Sequence, residues 1–82
     1  MTITLNNIPS PENKEKCVLS IFAITEQDHC DTCNKSIQNE GDLIGLFTYD
    51  NEMEYALCLN CLRDYAEKTP ELLIRLKYVG LI

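Results

Sequence analysis

An α+β domain is the fold class that this 82-residue sequence predicts. Three observations carry the prediction. Apolar and polar residues alternate on either side of Asp50-Asn51 as in a β-hairpin, the pattern changes to helical spacing after Cys58, and Cys-x-x-Cys occurs twice, at Cys30/Cys33 and at Cys58/Cys61. At 9.4 kDa the chain is expected to be a single domain over 1–82, and a core of that size buries too small a share of its surface to hold the fold without a staple. Hydrophobic content of 45% and a charged fraction of 24% are those of a globular protein and exclude wholesale disorder.

From the N-terminus, Thr2-Ile3-Thr4-Leu5 alternates as a half-buried strand does, and the stretch from Asn6 to Asn13 breaks that alternation with two prolines and three asparagines. Residues 1–16 are therefore expected to be partly flexible. Ser10-Pro11-Glu12 reads as a cap, a first helical residue and an acid that complements the dipole, which admits a short helix there. Residues 17–25 are almost all apolar and rich in β-branched and aromatic side chains, which favours a buried strand; periodicity alone leaves helix open. Residues 42–58 form the hairpin, with Asp50-Asn51 suited to a primed two-residue turn. Its second arm sets Met53, Tyr55 and Leu57 on an apolar face against Glu52, Glu54 and Ala56 on a wet one. After Cys58, Leu59, Leu62, Tyr65 and Ala66 share one side of a helix that ends near Lys68, because Pro70 disfavours helical geometry at Thr69. Thr69-Pro70-Glu71 then caps a second helix that Gly80 closes, making 69–82 a C-terminal helix and tail.

The doubled Cys-x-x-Cys is the strongest chemical signal. A tetrahedral Zn2+ takes four ligands, with sulfur about 2.3 Å away, and a Cys-x-x-Cys turn delivers two thiolates to one ion. The two pairs are separated by 24 residues, and together they fill the shell. Asn34, directly after the first pair, tolerates the left-handed conformation that turns backbone amides toward the sulfurs. Cys58 and Cys61 fall at the start of a helix, where free N–H groups and the dipole favour negative sulfur.

Cys-x-x-Cys-Asn-Lys, a hairpin, and a second Cys-x-x-Cys opening a helix together resemble a treble-clef zinc finger, the class that includes LIM-like fingers. The resemblance covers about residues 28–68. It implies a small zinc-stabilised domain with Cys30, Cys33, Cys58 and Cys61 as ligands of one structural Zn2+, extended by an N-terminal strand and a C-terminal helix. Such fingers usually carry glycine where this chain has Asn34. A rubredoxin-like iron site uses the same spacing and is the alternative metal. His29 abuts the first ligand, but four cysteines already fill the shell, so it is expected at the surface or hydrogen-bonded behind the ligands. Cys17, in its apolar stretch, is expected to be a small buried hydrophobe.

Four thiolates leave a zinc ion no open position, and neither a phosphate-cradling glycine loop nor a nucleophile motif is present, so the sequence predicts a non-enzyme. Net charge is −6, and about −8 with four ionised ligands and one Zn2+. From Glu26 to Glu54 the only base is Lys35, and such a surface repels phosphate. Nucleic-acid binding, as in many zinc fingers, is thus disfavoured, and a regulatory or adaptor module acting through protein–protein contacts is favoured. A phage-type inhibitor whose acidic face occupies the nucleic-acid-binding surface of a host protein is a further reading. The C-terminal helix carries Leu72, Leu73, Ile74, Leu76, Tyr78 and Val79, more than one apolar stripe, to be covered by the rest of the chain, by a homodimer or by another partner. No membrane-length apolar run and no secretory signal is present, so a cytoplasmic location is expected, where paired cysteines serve metals more often than disulfides.

Overall fold

The computed structural model of the chain describes residues 2–38, 41–49 and 54–81. Within them the α+β class holds: six strands are followed by two helices, in the order β1 (Thr2–Pro9), β2 (Lys16–Ala23), β3 (Asp28–His29), β4 (Ser36–Ile37), β5 (Leu43–Thr48), β6 (Glu54–Cys58), α1 (Leu59–Glu67) and α2 (Pro70–Tyr78). Strands β1, β2, β5 and β6 form one antiparallel sheet in that order, and β3 and β4 pair separately as a small knuckle between β2 and β5. The turn predicted at Asp50-Asn51, with Met53 beside it, lies outside the described residues.

Strand β1 runs four residues beyond the predicted Thr2–Leu5. The reason is a bulge. Leu5 pairs with Leu19 and Ile8 with Cys17, so β1 advances three residues while β2 advances two, with Asn7 at a φ of 59° absorbing the extra one. The bulge resets the alternation, which is why Leu5 and Ile8, of opposite parity, are both buried. In sequence that reset reads as a loop. The stretch around Ser10, which reads as a loop or turn and admits a short helix, is a turn joining β1 to β2: the Ser10 N–H donates to the Glu15 carbonyl at 2.8 Å, and the Lys14 N–H to the Ser10 carbonyl at 3.0 Å. The Ser10 hydroxyl does accept the Glu12 N–H, at 3.1 Å, but Lys14 at a φ of 64° returns the chain to the sheet before a second helical turn forms. Residues 17–25, left between strand and helix by periodicity, are strand as far as Ala23.

Helix α1 lies on the sheet where the backbone leaves room for it. A Cβ on Gly45 of β5 would stand 3.1 Å from Leu62 Cδ2, so a side chain there would require the Leu62 side chain to give way by a few tenths of an ångström. Beside this contact, Phe47 and Tyr65 meet edge to face at 6.0 Å. Helix α2 begins at Pro70 with Glu71 in its first turn, has Arg75 and Lys77 in its last, and passes into Gly80 at a φ of 84°. Thr69 stands at its N-cap, but its hydroxyl makes no capping bond; the N–H groups of Leu72 and Leu73 reach the Thr69 carbonyl instead. No helix among the described residues is long and apolar enough to cross a membrane.

The N-terminal segment is fastened to the helices by polar contacts: Tyr65 Oη donates to the Pro9 carbonyl at 2.5 Å, Arg75 Nη1 to the Asn6 carbonyl at 3.1 Å, and Lys16 Nζ pairs with Glu71 Oε2 at 2.8 Å. One contiguous core joins the sheet, the knuckle and both helices, with Leu19, Ile44, Phe47, Ala66 and Leu72 fully buried in it. Most of the apolar surplus of α2 is absorbed there. Leu72 and Leu76 are buried and Leu73, Val79 and Leu81 pack against the core, while Ile74 is 68% and Tyr78 92% exposed. Leu76→Ala is therefore expected to cost about 2–5 kcal/mol in urea unfolding of the metal-loaded protein, and Tyr78→Ser to leave stability within about 0.5 kcal/mol.

Candidate metal centre

The first sulfur pair is set by the knuckle. Pairing of Asp28 with Ile37 and of His29 with Ser36 brings the chain to a tight loop, which the Cys30 N–H closes on the Lys35 carbonyl and the Asn34 N–H on the Cys30 carbonyl, both at 2.9 Å. Asn34 has a φ of 59°, the left-handed conformation that its side chain tolerates. The second pair belongs to the junction of β6 and α1. Cys58 is the last residue of β6 and the N-cap of α1, with no side-chain capping bond and no acid in the first turn.

The Sγ atoms of Cys30, Cys33, Cys58 and Cys61 all lie within 4.8 Å of one another, and those of Cys33 and Cys58 are 3.9 Å apart. All four thiols are free, and a sulfur–sulfur separation of about 3.8 Å is the edge of a tetrahedron with metal–sulfur bonds near 2.3 Å. The donor set thus fits a tetrahedral ion and fills its coordination. Cys30 and Cys58 are buried, Cys61 is half-buried and Cys33 is exposed, so the cluster sits at the edge of the core with one side toward solvent.

Electrostatics divide the four thiols. Burial opposes charge on Cys30, but hydrogen bonds from the backbone of Cys33, Cys58 and Thr32 bring its pKa down to about 6. Burial pushes Cys58 up. Cys61 is pushed far above an ordinary thiol by burial and by its neighbouring thiols, with the charge on Cys30 adding to the effect. One sulfur is thus ready as thiolate, and a bound cation would offset the burial that, above all, keeps Cys58 and Cys61 protonated.

Two other candidates fall outside the cluster. The His29 side chain is 64% exposed, with Nε2 3.5 Å from Asp31 Oδ1 and Nδ1 3.9 Å from Asp28 Oδ1. Cys17 is 6% exposed and its thiol donates to the Ile8 carbonyl at 3.2 Å, as befits a small core residue.

Sequence reasoning missed how the knuckle docks. Ala56, expected on the wet face of the hairpin, is buried, and the knuckle docks on its backbone: the Asp31 N–H donates to the Ala56 carbonyl at 2.8 Å, and the Ala56 N–H to Asp31 Oδ2 at 2.7 Å. Nearby, the hydroxyls of Thr32 and Tyr55 meet at 3.0 Å. The available signal was an aspartate inside a Cys-x-x-Cys, a residue type that readily engages backbone N–H groups. In comparisons with protein families, curated proteins and solved structures, the chain matches none.

Loading the site with a divalent ion at pH 7 is expected to release roughly two or more protons per ion, chiefly from Cys58 and Cys61, as read by an indicator dye in weak buffer. Because protons compete with the metal for sulfur, affinity should fall as pH drops, and fall further below about 6, where Cys30 also takes up a proton.

Proposed function

We propose that this protein is a small zinc-binding module of treble-clef type, in which Cys30, Cys33, Cys58 and Cys61 hold one structural Zn2+ and which acts without catalysis through contacts with another protein. The observation that carries the reading is the convergence of four sulfurs from two distant Cys-x-x-Cys pairs to within 4.8 Å. All-thiolate, four-coordinate shells suit zinc held for structure, because a catalytic zinc keeps a position for water. The order of knuckle, hairpin and helix, with ligands at the knuckle and at the helix start, supports the treble-clef assignment. Bound there, the ion supplies architecture: it joins the loop after β3 to the first turn of α1.

Two surfaces support a role in protein contacts. Ile74 and Tyr78 lie one turn apart on α2 and are the large apolar side chains most open to solvent among the described residues. Around the knuckle, Glu26, Asp28 and Asp31 are exposed with Lys35 as the local base, a field that favours a basic partner and repels nucleic acid. That acidic surface keeps the inhibitor reading alive as the second possibility. A reducing, cytoplasmic setting suits five free thiols.

Metal analysis of protein purified without added metal or chelators is expected to give about one zinc per chain; a protein with no bound ion would end the reading. Chelation should strip hydrogen-exchange protection from residues 28–38 before the four-stranded sheet, because their two-residue strands make the shortest ladder among the described residues. For the contact surfaces, capture of a partner by the zinc-loaded protein should be lost in Ile74→Ser/Tyr78→Ser if α2 binds it. It should instead be lost at high salt if the acidic knuckle does. Light scattering of the same protein at high concentration reads out self-association.

A further inference from the structure

We infer that Asp31 is a positioning residue for the metal centre, a side-chain clamp that assembles the two halves of the sulfur cluster before an ion arrives. The inference rests on the zinc reading above and concerns how the site is built. Strand β6 is an outer strand of the four-stranded sheet, so the N–H and C=O groups that it does not give to β5 have no strand to receive them. At Ala56 both are taken by one residue. The Asp31 N–H donates to the Ala56 carbonyl at 2.8 Å, and Asp31 Oδ2 accepts the Ala56 N–H at 2.7 Å. Asp31 thereby imitates a paired β-residue, with its carboxylate standing in for the backbone carbonyl that a strand would offer.

The position of this imitation gives it consequence. Asp31 directly follows Cys30, and Ala56 comes two residues before Cys58, so the clamp joins the supports of one sulfur from each Cys-x-x-Cys pair. Cys30 and Cys58 are the two buried sulfurs, and their placement leaves the exposed Cys33 and half-buried Cys61 to complete the shell. The strand pairing inside the knuckle is short, since β3 and β4 are two residues each, and beyond Asp31 the knuckle is tied to the rest by buried Ile37 and by the Thr32–Tyr55 contact. The four sulfurs come from two separate segments, and an anchor that makes no bond to the metal holds those segments together at the cluster. Asp31 accepts the Ala56 N–H through one oxygen, a role that the amide oxygen of asparagine can also fill.

The test compares the parent with Asp31→Ala, Asp31→Asn and Thr32→Ala, reading Zn2+ affinity by chelator competition, the rate of Zn2+ release, and the absorption spectrum of the Co2+-loaded forms. Asp31→Ala should bind Zn2+ about 10-fold or more weaker and release it correspondingly faster, with an unchanged four-thiolate Co2+ spectrum. Asp31→Asn should stay within about 3-fold of the parent, because the acceptor is restored, and Thr32→Ala should stay near the parent as well. Parent-like affinity and release in Asp31→Ala would overturn the inference, as would an Asp31→Asn as weak as the alanine variant. If Asp31→Ala does not fold, Asp31→Glu replaces it: the carboxylate, displaced by one methylene, should weaken binding where Asp31→Asn does not, and equal weakening of the two overturns the inference. A parent that takes up no metal would instead refute the zinc reading itself.

Discussion

Four thiols within 4.8 Å of one another cannot all carry charge unaided, and that electrostatic constraint organises this molecule. The fold answers it in two ways. Backbone N–H groups converge on Cys30 and make one sulfur anionic near neutral pH, whereas burial and the neighbouring thiols hold Cys58 and Cys61 in their protonated forms. The site is thus poised with the charge on Cys30 in place and those on Cys58 and Cys61 withheld. A divalent cation supplies the missing balance, and in a chain of this size its binding free energy, about 10–16 kcal/mol in finger peptides, rivals the net stability of a domain, about 5–15 kcal/mol.

Metal and core divide the labour in space. The sheet, α1 and α2 enclose Leu19, Phe47, Leu57, Leu62, Leu72 and Leu76 in one apolar core. The knuckle contributes Cys30 and Ile37 to that core and otherwise depends on the cluster and on Asp31. Cys58 stands at the boundary, as strand end, helix N-cap and member of the cluster at once. Strain or loss at that one position touches all three.

What could be read in the sequence followed from short-range rules. The hairpin arms, both helices, the stop at Gly80 and each Cys-x-x-Cys turn depend on residues a few positions apart, and the repeated spacing of those turns is what pointed to one shared ion. The parts that were not legible depend on partners far along the chain. The strand nature of Ile8 and Pro9 was hidden by an asparagine bulge whose purpose appears only against β2. The docking of the knuckle on Ala56 was hidden because alternation reports sheet faces and not strand edges, and the residue that meets this edge lies 25 positions earlier. The close approach of Leu62 to Gly45 likewise needs both elements in view.

The knuckle leaves and rejoins the sheet between two strands that are already neighbours. Ala23 and Leu43 are register partners, and just beyond them the Ile24 N–H donates to the Asp42 carbonyl at 2.9 Å and the Gly41 N–H to the Ile24 carbonyl at 3.2 Å. The excursion therefore hangs from a closed neck, and its length is free to vary without shifting the pairing of β2 with β5. In evolutionary terms the metal-binding loop is an appendage on a plain antiparallel meander, a segment that a lineage could lengthen, trim or retune while its scaffold kept the same hydrogen-bond ladder.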